Sequence, residues 1–154
     1  MKPILNVWAG TRLYLTGFFS SSIICNSPKE SNPFFFLRAS KKELKNLLES
    51  TSQRAGQARL IADRARSETA KYLIVCGDFN DTPLSYSYRV FNRFMNDAYA
   101  KSGVGMGITY HEHRLYYRID HIFCSRNITP LYTWIDRIQK DSDHYPVISK
   151  IRLE

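Results

Sequence analysis

The stretch YLIVCGDFN, residues 72–80, decides the fold prediction because it joins an apolar run to a polar turn. The run 72–76 has the composition of a buried β-strand, and Gly77 at its end allows the backbone to turn sharply. The turn would leave Asp78 and Asn80 at the mouth of a sheet, where open α/β sheets bind ligands. Taken alone, the four residues GDFN are also typical of an ordinary turn.

Two further clusters place acidic residues at strand ends. RIDHIF, residues 118–123, carries Asp120 inside a strand-like segment, and SDHYPV, residues 142–147, carries Asp143 and His144 just before the last predicted strand. The ordered triplet GDFN, RIDHIF and SDHYPV resembles the second half of the endonuclease/exonuclease/phosphatase superfamily. Its members include deoxyribonuclease I, exonuclease III, abasic-site endonucleases, sphingomyelinases and inositol polyphosphate phosphatases. The resemblance covers roughly residues 33 to 154.

The resemblance implies an α/β fold, a two-sheet β-sandwich flanked by helices, of which this chain carries the C-terminal half. It also implies a Mg²⁺-dependent phosphoesterase, with Mn²⁺ as an alternative metal. By resemblance, Asp120 orients His144 as the general base, Asp78 and Asn80 position the attacking water and the phosphate, and Asp143 lies in or near the metal site. The residue types agree with this chemistry, since a histidine beside a carboxylate has the pKa and the tautomer that a base needs.

The groups that the family draws from its first half are not recognisable in this sequence: an early asparagine, a metal-binding glutamate and a histidine in an Asn-x-His strand. Every glutamate falls in a predicted helix, a loop or the terminus: Glu30, Glu43, Glu49, Glu68, Glu112 and Glu154. Three hypotheses follow. The chain is a truncated phosphoesterase with reduced or no activity alone, a non-catalytic remnant of one, or a module that binds nucleic acid through its basic charge.

Length and charge limit the class of protein and of partner. The 154 residues suit one domain with a sizeable core, and the net charge of +8 favours an anionic partner. The resemblance implies a phosphate ester as substrate, in a nucleic acid, a phospholipid or a sugar phosphate. We expect a monomer with no stable protein partner. Cys25, Cys76 and Cys124 form no zinc or disulfide pattern, and the last two are predicted to be small buried residues.

The domain prediction divides the chain into an unassigned segment, 1–32, and the C-terminal portion of the superfamily domain, 33–154. The first segment has a basic start and an apolar stretch like a signal peptide, but no small-residue cleavage site follows. An apolar leader and an aberrant start both remain open. The cytoplasm is favoured as the compartment, while membrane association and secretion stay open.

Periodicity predicts the elements around the three clusters. A capping box at 40–43 and apolar residues spaced by three or four predict a helix over 41–67. A second, shorter helix is predicted to begin at Pro83, with Tyr88, Phe91 and Met95 on its buried face. Further strands are predicted at 116–124, 131–137 and 146–153.

Several other polar residues are candidates for a role. His111 and His113 alternate around Glu112, which suits a transition-metal site, although a polar loop or edge strand is favoured. Arg118 is expected to form a structural salt bridge rather than to contact substrate, and His121 to pack on the strand face opposite Asp120. Aromatic residues near these clusters suit a substrate groove: Tyr110, His111, Tyr116 and Tyr117.

Overall fold

A computed structural model describes residues 4–9, 34–36, 51–111, 116–138 and 142–154. The strands are β1 Ile4–Ala9, β2 Phe34–Phe36, β3 Tyr72–Asp78, β4 Met95–Asp97, β5 Asp120–Ser125, β6 Ile128–Ile135 and β7 Val147–Leu153. The helices are α1 Thr51–Ser67, α2 Tyr86–Asn92 and α3 Ala98–Ser102.

The described strands form two sheets. One has three strands in the order β1-β7-β6, all antiparallel, and the other has four in the order β2-β3-β5-β4. In the second sheet β2 runs parallel to β3, whereas β5 is antiparallel to both of its neighbours. The expected α/β fold with two sheets and flanking helices is confirmed.

The central strands β3 and β5 are buried on both faces, and alternation sends successive side chains into different layers. Ile74 and Cys76 of β3 belong to a cluster that also contains Ile151 of β7, so this face packs toward the three-stranded sheet. Leu73 and Val75 belong to a second cluster with side chains of α1 and α2. The four-stranded sheet therefore lies between helices α1 and α2 on one face and the three-stranded sheet on the other, and α3 packs in the cluster between the two sheets.

The helices agree with the predictions in part. Within the described residues α1 begins at Thr51, so the predicted start near residue 41 and its capping box lie outside them. The predicted start of the second helix at Pro83 is wrong. Ser85 is its N-cap, because the Ser85 Oγ accepts a hydrogen bond from the Tyr88 amide at 3.1 Å. Met95 is buried as expected, but it lies in β4 and not on the helix.

The predicted strand 116–124 is shorter in the structure, since β5 begins at Asp120. The predictions 131–137 and 146–153 correspond to β6 and β7. Cys76 and Cys124 are buried as expected, whereas Cys25, Glu112 and His113 lie outside the described residues. None of the described helices is both long and apolar enough to cross a bilayer.

The domain boundary predicted at residue 33 stays a prediction. The structure does place β1, from the segment left unassigned, beside β7 over the full register Ile4↔Arg152 to Ala9↔Val147. Val7 of this strand is buried in the core between the sheets.

Candidate hydrolytic site

Two aspartates face each other at one end of the four-stranded sheet. The antiparallel register of β3 and β5 places Asp78 directly opposite Asp120. Asp78 ends β3 and Asp120 begins β5, so two segments that are distant in sequence bring carboxylates to the same end of the sheet. Alternation places both on the strand face of Cys76 and Ile122, which packs toward the other sheet.

His144 joins the two aspartates from the segment that leads into β7. Its Nδ1 lies 2.7 Å from Asp120 Oδ2. Because a carboxylate oxygen accepts hydrogen bonds, Nδ1–H is the donor, and the ring in its neutral form keeps a lone pair on Nε2. The His144 side chain is buried, and its ring packs edge-on against Tyr110 with centroids 5.2 Å apart.

The turn after β3 adds an amide to the carboxylates. The Asn80 backbone N–H donates to Asp78 Oδ1 at 2.7 Å. Asn80 has a φ of 50°, in the left-handed region that asparagine tolerates better than most residues. The exposed Asn80 therefore lies at the edge of the site, on a turn that its own amide fixes to Asp78.

Burial and neighbouring charge shift the pKa values of the group. Burial, together with the negative charge of Asp120, raises the pKa of Asp78 to about 6, against the opposing effects of the Asn80 amide and His144. Burial lowers the pKa of His144, but the hydrogen bond and charge of Asp120, with Asp78 and Asp143, outweigh it and raise that pKa above its usual value. The raised pKa of Asp78 is thus mainly an effect of burial, whereas the raised pKa of His144 is an effect of the carboxylates around its ring.

Thr109 fixes this arrangement and was missed from the sequence. Its Oγ1 accepts hydrogen bonds from the amides of Ile119 at 3.0 Å and Asp120 at 3.1 Å. Its carbonyl accepts from the Tyr145 amide at 2.7 Å, next to His144. The fully buried Thr109 thus connects the Asp120 backbone to that of Tyr145, the residue after His144. Its partners, Tyr117 included, are at least eight residues away, so no local pattern marks it.

His121 lies on the face of β5 opposite Asp120, as predicted, whereas Arg118, which alternation placed on the Asp120 face, contacts His121 instead. Arg118 forms a buried ion pair with Asp97, Nη1 to Oδ2 at 2.7 Å. His121 is fully buried among the rings of Phe79, Tyr88 and Phe123. Burial lowers the pKa of His121 to about 4, so the ring is neutral at physiological pH.

The remaining predicted site residues lie around the pair. Asp143 is exposed and is not part of the compact group, although its charge adds to the field on Asp78 and His144. The His111 amide donates to the Asp143 carbonyl at 3.2 Å, and its ring stacks on Tyr145 at 3.9 Å. Tyr116 and Tyr117 are exposed.

The donor atoms at the site suit a hard divalent cation. One ligand atom from each of Asp78, Asp120 and His144 lies within 4.8 Å of the others. Asp120 Oδ1 is buried and has no hydrogen-bond partner among the described residues, so a carboxylate oxygen is left to coordinate. Carboxylate oxygens with space for water are the ligands that Mg²⁺ and Mn²⁺ prefer. The two described glutamates, Glu68 and Glu154, lie outside this group.

Comparison with known proteins finds one family and several similar structures. Residues 9–144 match the Endonuclease/Exonuclease/phosphatase family. Among solved structures, the endonuclease/exonuclease/phosphatase from Bacteroides vulgatus is similar with a TM-score of 0.59 and 26% identity. The mannosyl-6-phosphatase Bt3783 of Bacteroides thetaiotaomicron gives 0.53 and 23%, and the human Nocturnin catalytic domain with bound sulfate gives 0.52 and 22%. No curated protein sequence matches the chain.

The chain spans less than half of each of these structures. The alignments cover 67%, 66% and 66% of this chain, and 45%, 46% and 41% of the Bacteroides vulgatus, Bt3783 and Nocturnin chains respectively. The last two, below 25% identity, show a shared fold.

Proposed function

Because the chain belongs to the endonuclease/exonuclease/phosphatase family, we propose that its site hydrolyses phosphate esters with the help of a divalent metal ion. The observation that carries the proposal is the buried hydrogen bond between His144 Nδ1 and Asp120 Oδ2, beside Asp78. This is the arrangement of a general base and its orienting carboxylate. Three segments that are distant in sequence meet to form it, whereas an ordinary turn involves only residues that are close in sequence.

In the proposed reaction, His144 Nε2 accepts a proton from the attacking water. Asp120 holds the ring in the tautomer that leaves Nε2 free to accept, and its charge stabilises the imidazolium that forms. The Asn80 side chain can donate a hydrogen bond to a phosphate oxygen without adding negative charge, and Asp78 orients the water. Each of these roles is a proposal for this chain.

Asp78 and Asp120 are the residues that would hold the metal, with Asp143 as a further candidate. When bound, Mg²⁺ or Mn²⁺ supplies positive charge against the charge that develops on the phosphate. The raised pKa of Asp78 is consistent with this role, because a bound cation favours the ionised carboxylate that burial and Asp120 disfavour.

The test is hydrolysis of bis-p-nitrophenyl phosphate and of p-nitrophenyl phosphate, each with Mg²⁺ and with Mn²⁺. We expect metal-dependent turnover, and the relative rates distinguish a diesterase from a monoesterase. His144→Ala is expected to lower kcat by about 10²–10⁴-fold, the usual contribution of a general base. Turnover that this substitution leaves unchanged would refute the proposed site.

A second candidate function is binding of nucleic acid without turnover, which the net charge of +8 favours. The exposed side chains of Arg64 on α1 and of Arg89 on α2 provide part of that charge. A gel shift with single- and double-stranded DNA, weakening with salt and accompanied by no cleavage in Mg²⁺, would support this function over hydrolysis.

A further inference from the structure

His121 contacts the turn that carries Asn80, although its side chain lies on the opposite face of β5 from Asp120. His121 Nε2 lies 2.9 Å from the Asp81 carbonyl oxygen. A carbonyl only accepts, so Nε2–H is the donor, and Nδ1 of the neutral ring is an acceptor. Arg118 Nη1 lies 3.4 Å from that Nδ1 and donates to it. These two contacts define which nitrogen of His121 carries the proton.

The contacts behind His121 are themselves buried and fixed. Asp97 Oδ2 accepts from both Arg118 Nη1 at 2.7 Å and the Tyr88 hydroxyl at 2.8 Å. Its Oδ1 accepts from the Tyr99 amide at 2.9 Å, at the start of α3. The guanidinium of Arg118 lies near the rings of Tyr88 and Tyr99, at 5.7 and 5.3 Å from their centroids. Arg118 therefore has little freedom to move away from His121.

The turn is held on both sides of Asn80. Before it, the Phe79 amide donates to the Ile119 carbonyl at 2.9 Å. After it, the Asp81 carbonyl accepts from His121. Between these two hydrogen bonds Asn80 adopts a φ of 50°, which costs a residue with a Cβ some free energy and persists only where its surroundings impose it.

We infer that the buried hydrogen-bonded series Asp97–Arg118–His121 positions the Asn80 turn, and that His121 is a positioning residue for the hydrolytic site. The inference rests on the proposed function for its role in catalysis. Its structural part, that His121 holds the turn, depends only on the contacts above. His121 touches neither Asp78 nor substrate in this account; it acts through the Asp81 carbonyl.

Two substitutions separate hydrogen bonding from packing. His121→Phe keeps a ring among Phe79, Tyr88 and Phe123 but removes both hydrogen bonds. His121→Gln can still donate an amide N–H to the Asp81 carbonyl. Phe94→Leu is the matched control, because it disturbs the same aromatic cluster, where Phe94 packs on Phe91 at 6.1 Å, without a ring contact to Phe79 or His121.

The first measurement is amide hydrogen exchange at Phe79 and Asn80, compared with Ile151 of β7 in the same sample. In His121→Phe we expect protection at the turn to fall about tenfold more than at Ile151, as for the loss of one hydrogen bond. His121→Gln should restore most of it, and Phe94→Leu should change protection at the turn and at β7 alike. Unchanged relative protection in His121→Phe would overturn the inference, whether or not the protein is an enzyme.

The second measurement is kcat in a double-mutant comparison with Asn80→Ala. If His121 acts through Asn80, His121→Phe lowers kcat in the wild-type background and has little further effect on Asn80→Ala. If the factors by which the two substitutions lower kcat multiply in the double variant, the positioning role is contradicted. Absence of turnover in the wild type would count against the proposed function, and the exchange result would then decide the structural part alone.

Discussion

Asp120 is the residue on which the site geometry depends. One of its carboxylate oxygens orients His144, the other is buried without a partner among the described residues, and its amide is held by Thr109. Its side chain also lies opposite Asp78, whose ionisation it opposes. Asp120 thus contributes to the proposed base, to the proposed metal site and to the pairing of β3 with β5.

The Thr109 hydroxyl should matter more for activity than its distance from the chemistry suggests. Thr109→Val keeps the shape but leaves the amides of Ile119 and Asp120 without their acceptor. We expect a stability loss of about 1–3 kcal/mol and a lower kcat. Thr109→Ser, which keeps the hydroxyl, is the control and should stay close to wild type in both urea denaturation and turnover. Equal behaviour of the two variants would show that the hydroxyl does not position Asp120.

Asp78→Asn should stabilise the metal-free fold at neutral pH. The pKa of Asp78 is about 6 in the folded protein, against an ordinary value of 3.8, so its ionisation opposes folding. The cost is fully present above pH 6 and disappears as the pH falls below 3.8; from the shift it is on the order of 1–3 kcal/mol. Urea denaturation in EDTA should show the variant more stable at pH 7.5 and equal to wild type near pH 4.

The same substitution should weaken the stabilisation of the fold by a metal ion. Wild type is expected to gain stability on adding Mg²⁺ or Mn²⁺, because a ligand that binds only the folded state stabilises it. Asp78→Asn should gain much less, and Asp63→Asn, a surface carboxylate paired with Arg66, should gain as wild type does. A metal-induced shift that is equal in all three proteins would argue against coordination by Asp78.

At the scale of elements, the glycine loop between α3 and β5 is what brings Thr109 to Asp120. Gly105 and Gly107 both have a positive φ, of 81° and 67°. The two glycines differ in the space available for a side chain. A Cβ on Gly107 would lie 2.5 Å from the Tyr99 ring, whereas a Cβ on Gly105 would meet nothing within 4 Å. The chain passes close over Tyr99 at Gly107, two residues before Thr109.

The two glycines therefore give a matched pair of substitutions. Gly105→Ala should cost about 1–2 kcal/mol, for the left-handed backbone alone. Gly107→Ala should cost on the order of 2–4 kcal/mol, because overpacking against Tyr99 is added to the same backbone strain. Thermal or urea denaturation of both variants measures the difference. Equal losses would mean that Tyr99 moves aside without cost.

Alternation along β5 explains why part of the site could be predicted. Period two places Asp120 and His121 on opposite faces, and the structure has the first in the site and the second in the helix layer. The helix start was predicted wrongly at Pro83, because the Ser85 hydroxyl caps the helix later, at Tyr86. Propensity favours proline in a first turn, but it does not exclude a serine two residues on.

At the scale of the whole molecule, the limits of prediction lie in long-range pairing. The motif order indicated the fold, yet the register that sets Asp78 opposite Asp120 depends on how β3 and β5 pack between helices and sheet. The role of Thr109 arises only when three loops meet. Side chains whose partners lie far along the chain leave no periodic signal in a single sequence.

The stability of the whole fold should also depend on His121. Its pKa is lowered to about 4 in the folded protein. Between pH 6.5 and pH 4 the unfolded chain therefore binds a proton at this residue, whereas the folded protein does not. Protonation of His121 in the unfolded chain lowers the free energy of unfolding as the pH falls from 6.5 to 4, by roughly 3 kcal/mol in total. His121→Gln, which cannot titrate, should lose less stability than wild type over that range in urea denaturation. Equal losses of stability in wild type and His121→Gln would contradict the lowered pKa of His121.

The central claim is that Asp78, Asp120 and His144 act as one hydrolytic site, and a double-mutant cycle on kcat tests it most directly. Metal-dependent hydrolysis of bis-p-nitrophenyl phosphate is compared for wild type, Asp78→Asn, His144→Ala and the double variant, with Asp63→Asn as the control. Residues that work as a unit are strongly non-additive, so we predict that the double variant is scarcely slower than the slower single one. Independent effects that multiply, or a single variant with the wild-type rate, would contradict the account.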